Sequence, residues 1–182
     1  MNAVLHALRY LGATVTARVA TATGLDESTV ESELIDLAVA GLVTHTPGEF
    51  GGWALTEAGR AEDAALVAAE LDTVGRDAVT AAYDDFLVLN PELLDLCTAW
   101  QTRSSGDVVL DLFADFHARA EAVLAKLSAA LPRFERFRVR LATALDRATS
   151  GETRYLTDDL EAYHTIWFQL HEDLLATLDI PR

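Results

Sequence analysis

Five arginines lie within one 18-residue segment, PRFERFRVRLATALDRAT (132–149), and together could recognise an anion. Arg133, Arg136, Arg140 and Arg147 follow one another at steps of three, four and seven, so they share one helix face, and Arg138 is nearby. Such a strip could dock an acidic partner, an anionic ligand or a nucleic acid. The alternative, which we favour, is a solvated face that pairs with the protein's own carboxylates.

The histidines and the single cysteine do not form a recognisable metal or catalytic motif. Glu161 and His164 make a Glu-x-x-His pair of the kind that di-iron bundles use, and His117 and Glu121 are one turn apart. A di-iron site needs a second full pair and further glutamates. No zinc motif, glycine-rich phosphate loop or nucleophile elbow is present, and Cys97 lies in the apolar stretch LLDLCTAW. We therefore predict no metal site, no cofactor, no catalytic residue and no enzyme activity.

Aromatic residues are concentrated in the second half of the chain and could line a ligand pocket between helices. The set comprises Tyr83, Phe86, Trp100, Phe113, Phe116, Tyr163, Trp167 and Phe168. The candidate pocket residues are Tyr83, Trp100, Tyr163, His164 and Trp167, with Tyr163 or His164 as the polar anchor. The alternative, which we favour, is an aromatic core or a subunit interface.

The first part of the chain predicts three helices, a β-hairpin and a fourth helix. Apolar residues spaced by three and four mark a helix over 2–11, Thr14 can cap a second helix that ends at Gly24, and Asp26 can cap a third. The period then changes to that of two short strands around the turn signals Pro47-Gly48 and Gly51-Gly52. Thr56 can cap the next helix.

Three pieces of this part carry a resemblance to a known family. They are VTARVATATGLDESTVESELIDLAVAGLV, the hairpin ending GGWALT, and the overlapping LTEAGR. Together they resemble the winged helix-turn-helix domain of MarR-like and PadR-like bacterial regulators, over residues 1–73. The resemblance implies a recognition helix within 26–40, and DNA contacts from Arg18, Ser28, Thr29, Ser32 and Arg60.

The charge of the chain argues against that implied activity. The whole protein carries a net charge of −15, and residues 1–73 hold three arginines against eleven acidic residues. A DNA-binding protein needs several cationic contacts to phosphates merely to fix its register. The fold resemblance therefore favours DNA binding, and the electrostatics oppose it.

The second half predicts only helices. Its apolar stripes mark a helix ending near Asn90, a second with Asn90 as cap and Pro91 at its first position, and three more over about 107–130, 134–149 and 156–178. Ser104 to Gly106 is predicted to be a loop. Five helices with short connections indicate a bundle. The stretches FLVLNPELLDLCTAWQTR and YHTIWFQLHEDLLATL are similar to a helical half that accompanies winged helices in bacterial proteins described as regulators, some associated with phosphoenolpyruvate-utilising enzymes.

We therefore predict a mainly α protein with a small β-hairpin wing: a winged-helix domain (1–73) and a helical dimerisation and sensing domain (74–182). The expected function is that of a ligand-responsive transcriptional regulator. The alternative is a winged-helix interaction module that regulates a metabolic enzyme without binding DNA. We expect a homodimer that uses the helix at 156–178. Without a signal peptide, an 18-residue apolar run or a second cysteine, we expect a cytoplasmic protein that does not enter a membrane.

Overall fold

The computed structural model describes residues 1–48, 51–102 and 106–181. It is mainly helical, with one small antiparallel sheet of two strands. The elements are α1 (Ala3–Leu11), α2 (Thr16–Thr23), α3 (Glu27–Val39), β1 (Val43–Thr46), β2 (Gly52–Leu55), α4 (Glu57–Val74), α5 (Arg76–Gln101), α6 (Gly106–Ala130), a 3-10 turn (Pro132–Phe134), α7 (Glu135–Thr149), α8 (Arg154–Thr157) and α9 (Tyr163–Leu178). Within the described ranges, no helix combines the length and the apolar character that a membrane crossing requires.

The chain folds into two compact units. The N-terminal unit comprises Met1–Val74 together with Glu172–Arg182, and the helical unit comprises Gly75–His171. The last two turns of α9 therefore belong to the N-terminal unit, whereas the sequence division at 73/74 assigns them to the bundle. Gly75, at φ 89°, separates α4 from α5, so these helices are not one continuous rod. The division into a winged-helix domain over 1–73 and a helical domain over 74–182 stays a prediction.

Capping residues fix the helix starts of the N-terminal unit. The Asp26 carboxylate accepts the backbone N–H of Thr29 at 2.9 Å, and the Thr56 hydroxyl accepts that of Gly59 at 3.0 Å, which confirms both predicted caps. Thr14 is not a cap. Thr14 instead lies extended beside β2, where its backbone exchanges two hydrogen bonds with that of Trp53, at 2.9 and 2.7 Å. This pairing satisfies the backbone N–H and C=O groups of both residues.

The predicted hairpin is confirmed, with Val43 opposite Leu55 and Thr46 opposite Gly52. Its tip residues 49 and 50 lie outside the described part of the chain. Beyond β2, the start of α4 packs directly on the end of the α3–β1 connection. A Cβ atom at Gly59 would lie 1.9 Å from the carbonyl oxygen of Leu42, so only glycine allows this approach.

The break predicted at Asn90-Pro91 is wrong, because α5 continues through Pro91. The cause is tertiary packing. Buried residues follow one helical face on both sides of the proline, and their burial offsets the roughly 3 kcal/mol that an internal proline costs. They are Val79, Ala82, Tyr83, Phe86, Leu89, Leu93, Leu96 and Cys97. The Asn90 side chain caps nothing and instead accepts the indole N–H of Trp167 at 3.0 Å.

The single helix predicted over 156–178 is in fact two, α8 and α9, joined by a turn. The Asp159 side chain accepts the backbone N–H of Glu161 at 2.9 Å, which stabilises that turn in place of a helix. The helix predicted from about 107 to 130 is confirmed as α6. Of the predicted loop, Ser104 and Ser105 lie outside the described residues and Gly106 begins α6.

Candidate functional site

The outward face of α3 is the surface that the family resemblance assigns to DNA. Val30 and Leu34 are buried on the inner face, so the helix presents Glu27, Glu31 and Ser32 outward. Two hydroxyls predicted to contact DNA have another partner. Ser28 and Thr29 each donate to the Asp26 carboxylate at 2.6 Å. These hydrogen bonds, first that from Ser28, hold the pKa of Asp26 well below its usual range, so a negative charge stays beside them.

The C-terminal half of the same face carries two exposed aliphatic side chains beside the exposed Asp36. Ile35 is 51 % exposed and Val39 is 86 % exposed, and they follow Ser28 and Ser32 at helical spacing. Leu25, just before the helix, is exposed as well. The outward face of α3 therefore combines exposed carboxylates along its length with exposed aliphatic side chains in its C-terminal half.

The cations predicted to help contact DNA come from other elements. Arg18 lies on α2 and is half-buried, and Arg60 lies on α4 and is exposed. The sequence places no lysine or arginine between them, so α3 and the hairpin carry none. Any cationic contact with a phosphate at this face would therefore have to come from a neighbouring element.

A second cluster lies inside the N-terminal unit and was not predicted. His6, on α1, is completely buried between two carboxylates. Its Nδ1 lies 3.0 and 3.1 Å from the two oxygens of Asp63, on α4, and its Nε2 lies 3.0 Å from Oδ1 of Asp173, on α9. Thr177 donates its hydroxyl to the same Asp173 oxygen at 3.0 Å. The sequence signals were a histidine inside an apolar helix stripe and two aspartates on the inner faces of their helices.

The electrostatics of this cluster favour a charged imidazole. Burial alone disfavours the charge, but the carboxylates of Asp173 and Asp63 outweigh it and raise the pKa of His6 above its usual value. The site is closed to solvent, since His6 and Asp173 are both fully buried. The arrangement is suited to holding a proton between two carboxylates.

The arginine strip in the helical unit is largely paired within the chain. Arg138 forms ion pairs with Glu121 and Glu135, Arg140 with Glu161 at 2.9 Å, and Arg147 with Glu152 at 2.7 Å. Arg133 and Arg136 also pack on rings, since their guanidinium carbons lie 4.7 and 5.2 Å from the centroids of Phe134 and Phe137. This arrangement agrees with the favoured interpretation of a strip that pairs internally.

A small cavity of about 160 Å³ adjoins this strip. Arg140, Thr143, Ala144, Arg147, Tyr155 and Glu161 line it. Arg147 stacks on Tyr155 with 3.7 Å between its guanidinium carbon and the ring centroid, while Arg140 donates to Glu161 and to Gln169. Each cation of the wall therefore already has an anionic partner, although Nη1 of Arg140 is buried without a hydrogen-bond partner among the described residues.

The buried members of the predicted pocket set pack on other rings of the helical unit. Trp167 stacks on Phe86 at 4.6 Å between ring centroids, and the Tyr163 hydroxyl lies 3.0 Å from Nδ1 of His117. Tyr83, Tyr163 and Trp167 are buried, while Trp100 and His164 are half-buried. The structure therefore brings three of the five into the core of the helical unit, in agreement with the favoured interpretation. The ligand pocket stays a prediction.

Cys97 is buried in the helical unit, and burial raises the pKa of its thiol to about 12. A thiol that stays protonated is a poor nucleophile. Cys97 therefore behaves as a small apolar core residue.

Comparison of the chain with protein families, with curated proteins and with solved structures gives no match. The resemblance to MarR-like and PadR-like regulators therefore stays a prediction that rests on the quoted motifs.

Proposed function

We propose that the N-terminal unit is a winged-helix interaction module that docks a basic partner protein through the outward face of α3. The architecture is supported by the order of α1, α2, α3 and the hairpin. The backbone pairing of Thr14 with Trp53 adds a third extended segment to the small sheet. Function is argued from the surface and not from this architecture, because one fold serves many functions.

The observation that carries the proposal is the composition of the α3 face. Exposed carboxylates at Glu27 and Glu31 repel phosphates, and no cation on α3 or the hairpin compensates for them. Affinity for DNA rises with the number of phosphates that a protein neutralises, so this face lacks the main source of binding free energy.

The same composition suits a protein partner. Val39 and Ile35 are large aliphatic side chains whose burial against a partner would stabilise a complex by roughly 25 cal/mol per Å² of apolar surface removed from water. The carboxylates beside them would select a partner whose matching surface carries arginine or lysine. A basic protein surface with an apolar centre is the occupant that fits both features.

Winged-helix transcriptional regulation is the second candidate function. It is favoured by the succession of α2, a short turn and α3, which is the helix-turn-helix arrangement, followed by the hairpin. Under this function the helical unit would supply dimerisation and ligand sensing, and the protein would act as a homodimer. Its DNA contacts would come from Ser32, with Arg18 and Arg60 supplying positive charge.

The two functions are separated by one pair of measurements on the full chain. Fluorescence anisotropy with labelled genomic duplexes at low salt tests DNA binding. Capture from a lysate of the encoding organism, with wild type, I35S/V39S and the control V88S, tests docking. Val88 is 78 % exposed on α5, so V88S removes a similarly exposed valine from another element.

We expect no duplex binding, and a protein retained by wild type and V88S but lost with I35S/V39S. Tight duplex binding with a steep salt dependence, unaffected by I35S/V39S, would overturn the docking function and establish the second candidate. Retention of the same proteins by all three variants would show that α3 is not the docking face.

A further inference from the structure

The buried contacts of His6 impose a requirement on its protonation. Both ring nitrogens face carboxylate oxygens, at 3.0 and 3.1 Å for Asp63 and 3.0 Å for Asp173. A carboxylate only accepts hydrogen bonds, and a neutral imidazole has only one N–H to donate. Both contacts are satisfied together when the ring carries two protons.

We propose that His6 is a proton-dependent link between three helices. As an imidazolium it hydrogen-bonds to both carboxylates and so holds the C-terminal part of α9 and the middle of α4 against α1. This inference is independent of the proposed docking function, since the cluster lies inside the N-terminal unit and α3 contributes no hydrogen bond to it among the described residues.

The charged groups around the ring are the two carboxylates. Asp63 comes from α4 and Asp173 from α9, and Tyr10, on α1 itself, presents its ring edge-on at 5.9 Å. In the described part of the chain, α2, α3 and β2 place no charged side chain in hydrogen-bond contact with the imidazole.

Loss of the proton would weaken the hold on α9. One carboxylate would then face a ring nitrogen with a lone pair, in a site where His6 and Asp173 are both 0 % exposed and water does not reach. A neutral ring keeps one N–H, and the described residues give Asp63 no other donor, whereas Asp173 accepts the hydroxyl of Thr177, so the remaining proton is expected on Nδ1. The hydrogen bond that links α1 to Asp173 on α9 is then the one that is lost.

The pH dependence follows from the direction of the shift. The folded protein holds the His6 proton more tightly than the unfolded chain, so the stabilisation is complete below the ordinary histidine pKa of about 6.5. As the pH rises from there toward the raised pKa of the folded state, the stabilisation declines. One linked proton changes the unfolding equilibrium constant by up to tenfold per pH unit.

The protonation state is tested directly on the full chain by ¹⁵N NMR of the histidine rings, with the His6 signals assigned from H6Q. We expect His6 to keep imidazolium shifts at pH 7.5, where an ordinary histidine is mostly neutral. D173N should lower the His6 midpoint by about 1–3 pH units, because it removes one opposite charge. D36N, which alters an exposed aspartate of α3, is the control and should leave it unchanged. A neutral His6 ring at pH 7 in the wild type would overturn the proposal.

Release of α9 is tested by hydrogen exchange, corrected for the intrinsic effect of pH, on peptides covering 172–181 and 141–148. We expect protection of 172–181 to fall across the His6 titration while protection of 141–148 stays constant, and this fall should move to lower pH in D173N. Constant protection of 172–181 through the His6 midpoint would show that the buried ion pair does not hold α9 in place, and would overturn the proposal.

Discussion

Nε2 of His6 lies 3.0 Å from Oδ1 of Asp173, a residue 167 positions further along the chain. Both side chains are fully buried, and Asp63 completes the contact from a third helix. Residues near the two ends of the sequence therefore share one polar cluster inside the N-terminal unit, and changes near the C-terminus should affect the stability of that unit.

Thr177→Val tests how far Asp173 depends on its hydroxyl donor. The Thr177 hydroxyl donates to Asp173 at 3.0 Å in a buried site, so its loss leaves part of the carboxylate unsatisfied. We expect a decrease of about 1–3 kcal/mol in the free energy of unfolding, measured by urea titration. Thr98→Val, at an exposed position where the hydroxyl bonds only to the backbone carbonyl of Leu94, should change it by less than about 0.5 kcal/mol. Equal losses in the two variants would contradict the role assigned to Thr177.

Trp167→Glu should prevent folding of the helical unit. Trp167 is 2 % exposed, stacks on Phe86 and donates its indole N–H to Asn90, so a carboxylate there would be buried without a partner. We expect the free energy of unfolding to fall by at least about 3–5 kcal/mol, so that circular dichroism shows no cooperative unfolding transition.

Phe168→Glu is the matched control for that substitution. The adjacent Phe168 is 51 % exposed, so the variant should fold like the wild type. Most of the apolar residues of α9 are buried inside the chain, so the exposed Phe168 on α9 and Leu160 in the turn before it are the side chains that we expect to be available to a dimer. A folded, monomeric W167E protein would contradict the internal role of the stripe.

Gly59→Ala should destabilise the N-terminal unit, although alanine is the better helix former by about 1 kcal/mol. The new Cβ would lie 1.9 Å from the Leu42 carbonyl oxygen, so α4 would have to move away from the chain segment before β1. The exposed Ala64→Gly in the same helix reports the propensity effect alone. Thermal unfolding should show a lower Tm for both variants, with the larger decrease for G59A. A Tm increase in G59A would contradict the close approach.

Arg140→Met should lower the free energy of unfolding more than Arg119→Met does. Arg140 is 11 % exposed and holds both Glu161 and the buried Gln169, whereas the pair of Arg119 with Glu92 is exposed on both sides. We expect a loss of about 2–4 kcal/mol for R140M and below about 1 kcal/mol for R119M, by urea titration. Similar losses would indicate that the Arg140 contacts are no stronger than those of a surface ion pair.

Glu27→Gln/Glu31→Gln tests the electrostatic argument about α3. Removing two negative charges should weaken capture of a basic partner and should make any non-specific duplex binding stronger, because phosphate repulsion falls. Capture and fluorescence anisotropy measure the two effects, with E57Q/E62Q on the exposed part of α4 as the charge-matched control. Stronger partner capture by the α3 variant would contradict a basic partner.

Sequence periodicity predicted the elements that local chemistry defines. The caps at Asp26 and Thr56, the hairpin and the helix over 107–130 all depend on residues within a few positions of one another, and the structure confirms them. Two of the errors share one cause. Pro91 and Thr14 each follow a local rule that a distant contact overrides, from buried neighbours in the first case and from Trp53 in the second.

The sequence alone determined the net charge of −15, the mainly helical class and the acid-rich composition of α3, since these depend only on residue types and their spacing. Only the tertiary structure decided that the arginines of the strip pair inside the chain and that the α9 stripe is largely internal. It alone placed His6 between Asp63 and Asp173. These two contacts span sequence separations of 57 and 167 positions, and no periodic pattern specifies which distant carboxylate a buried histidine will contact.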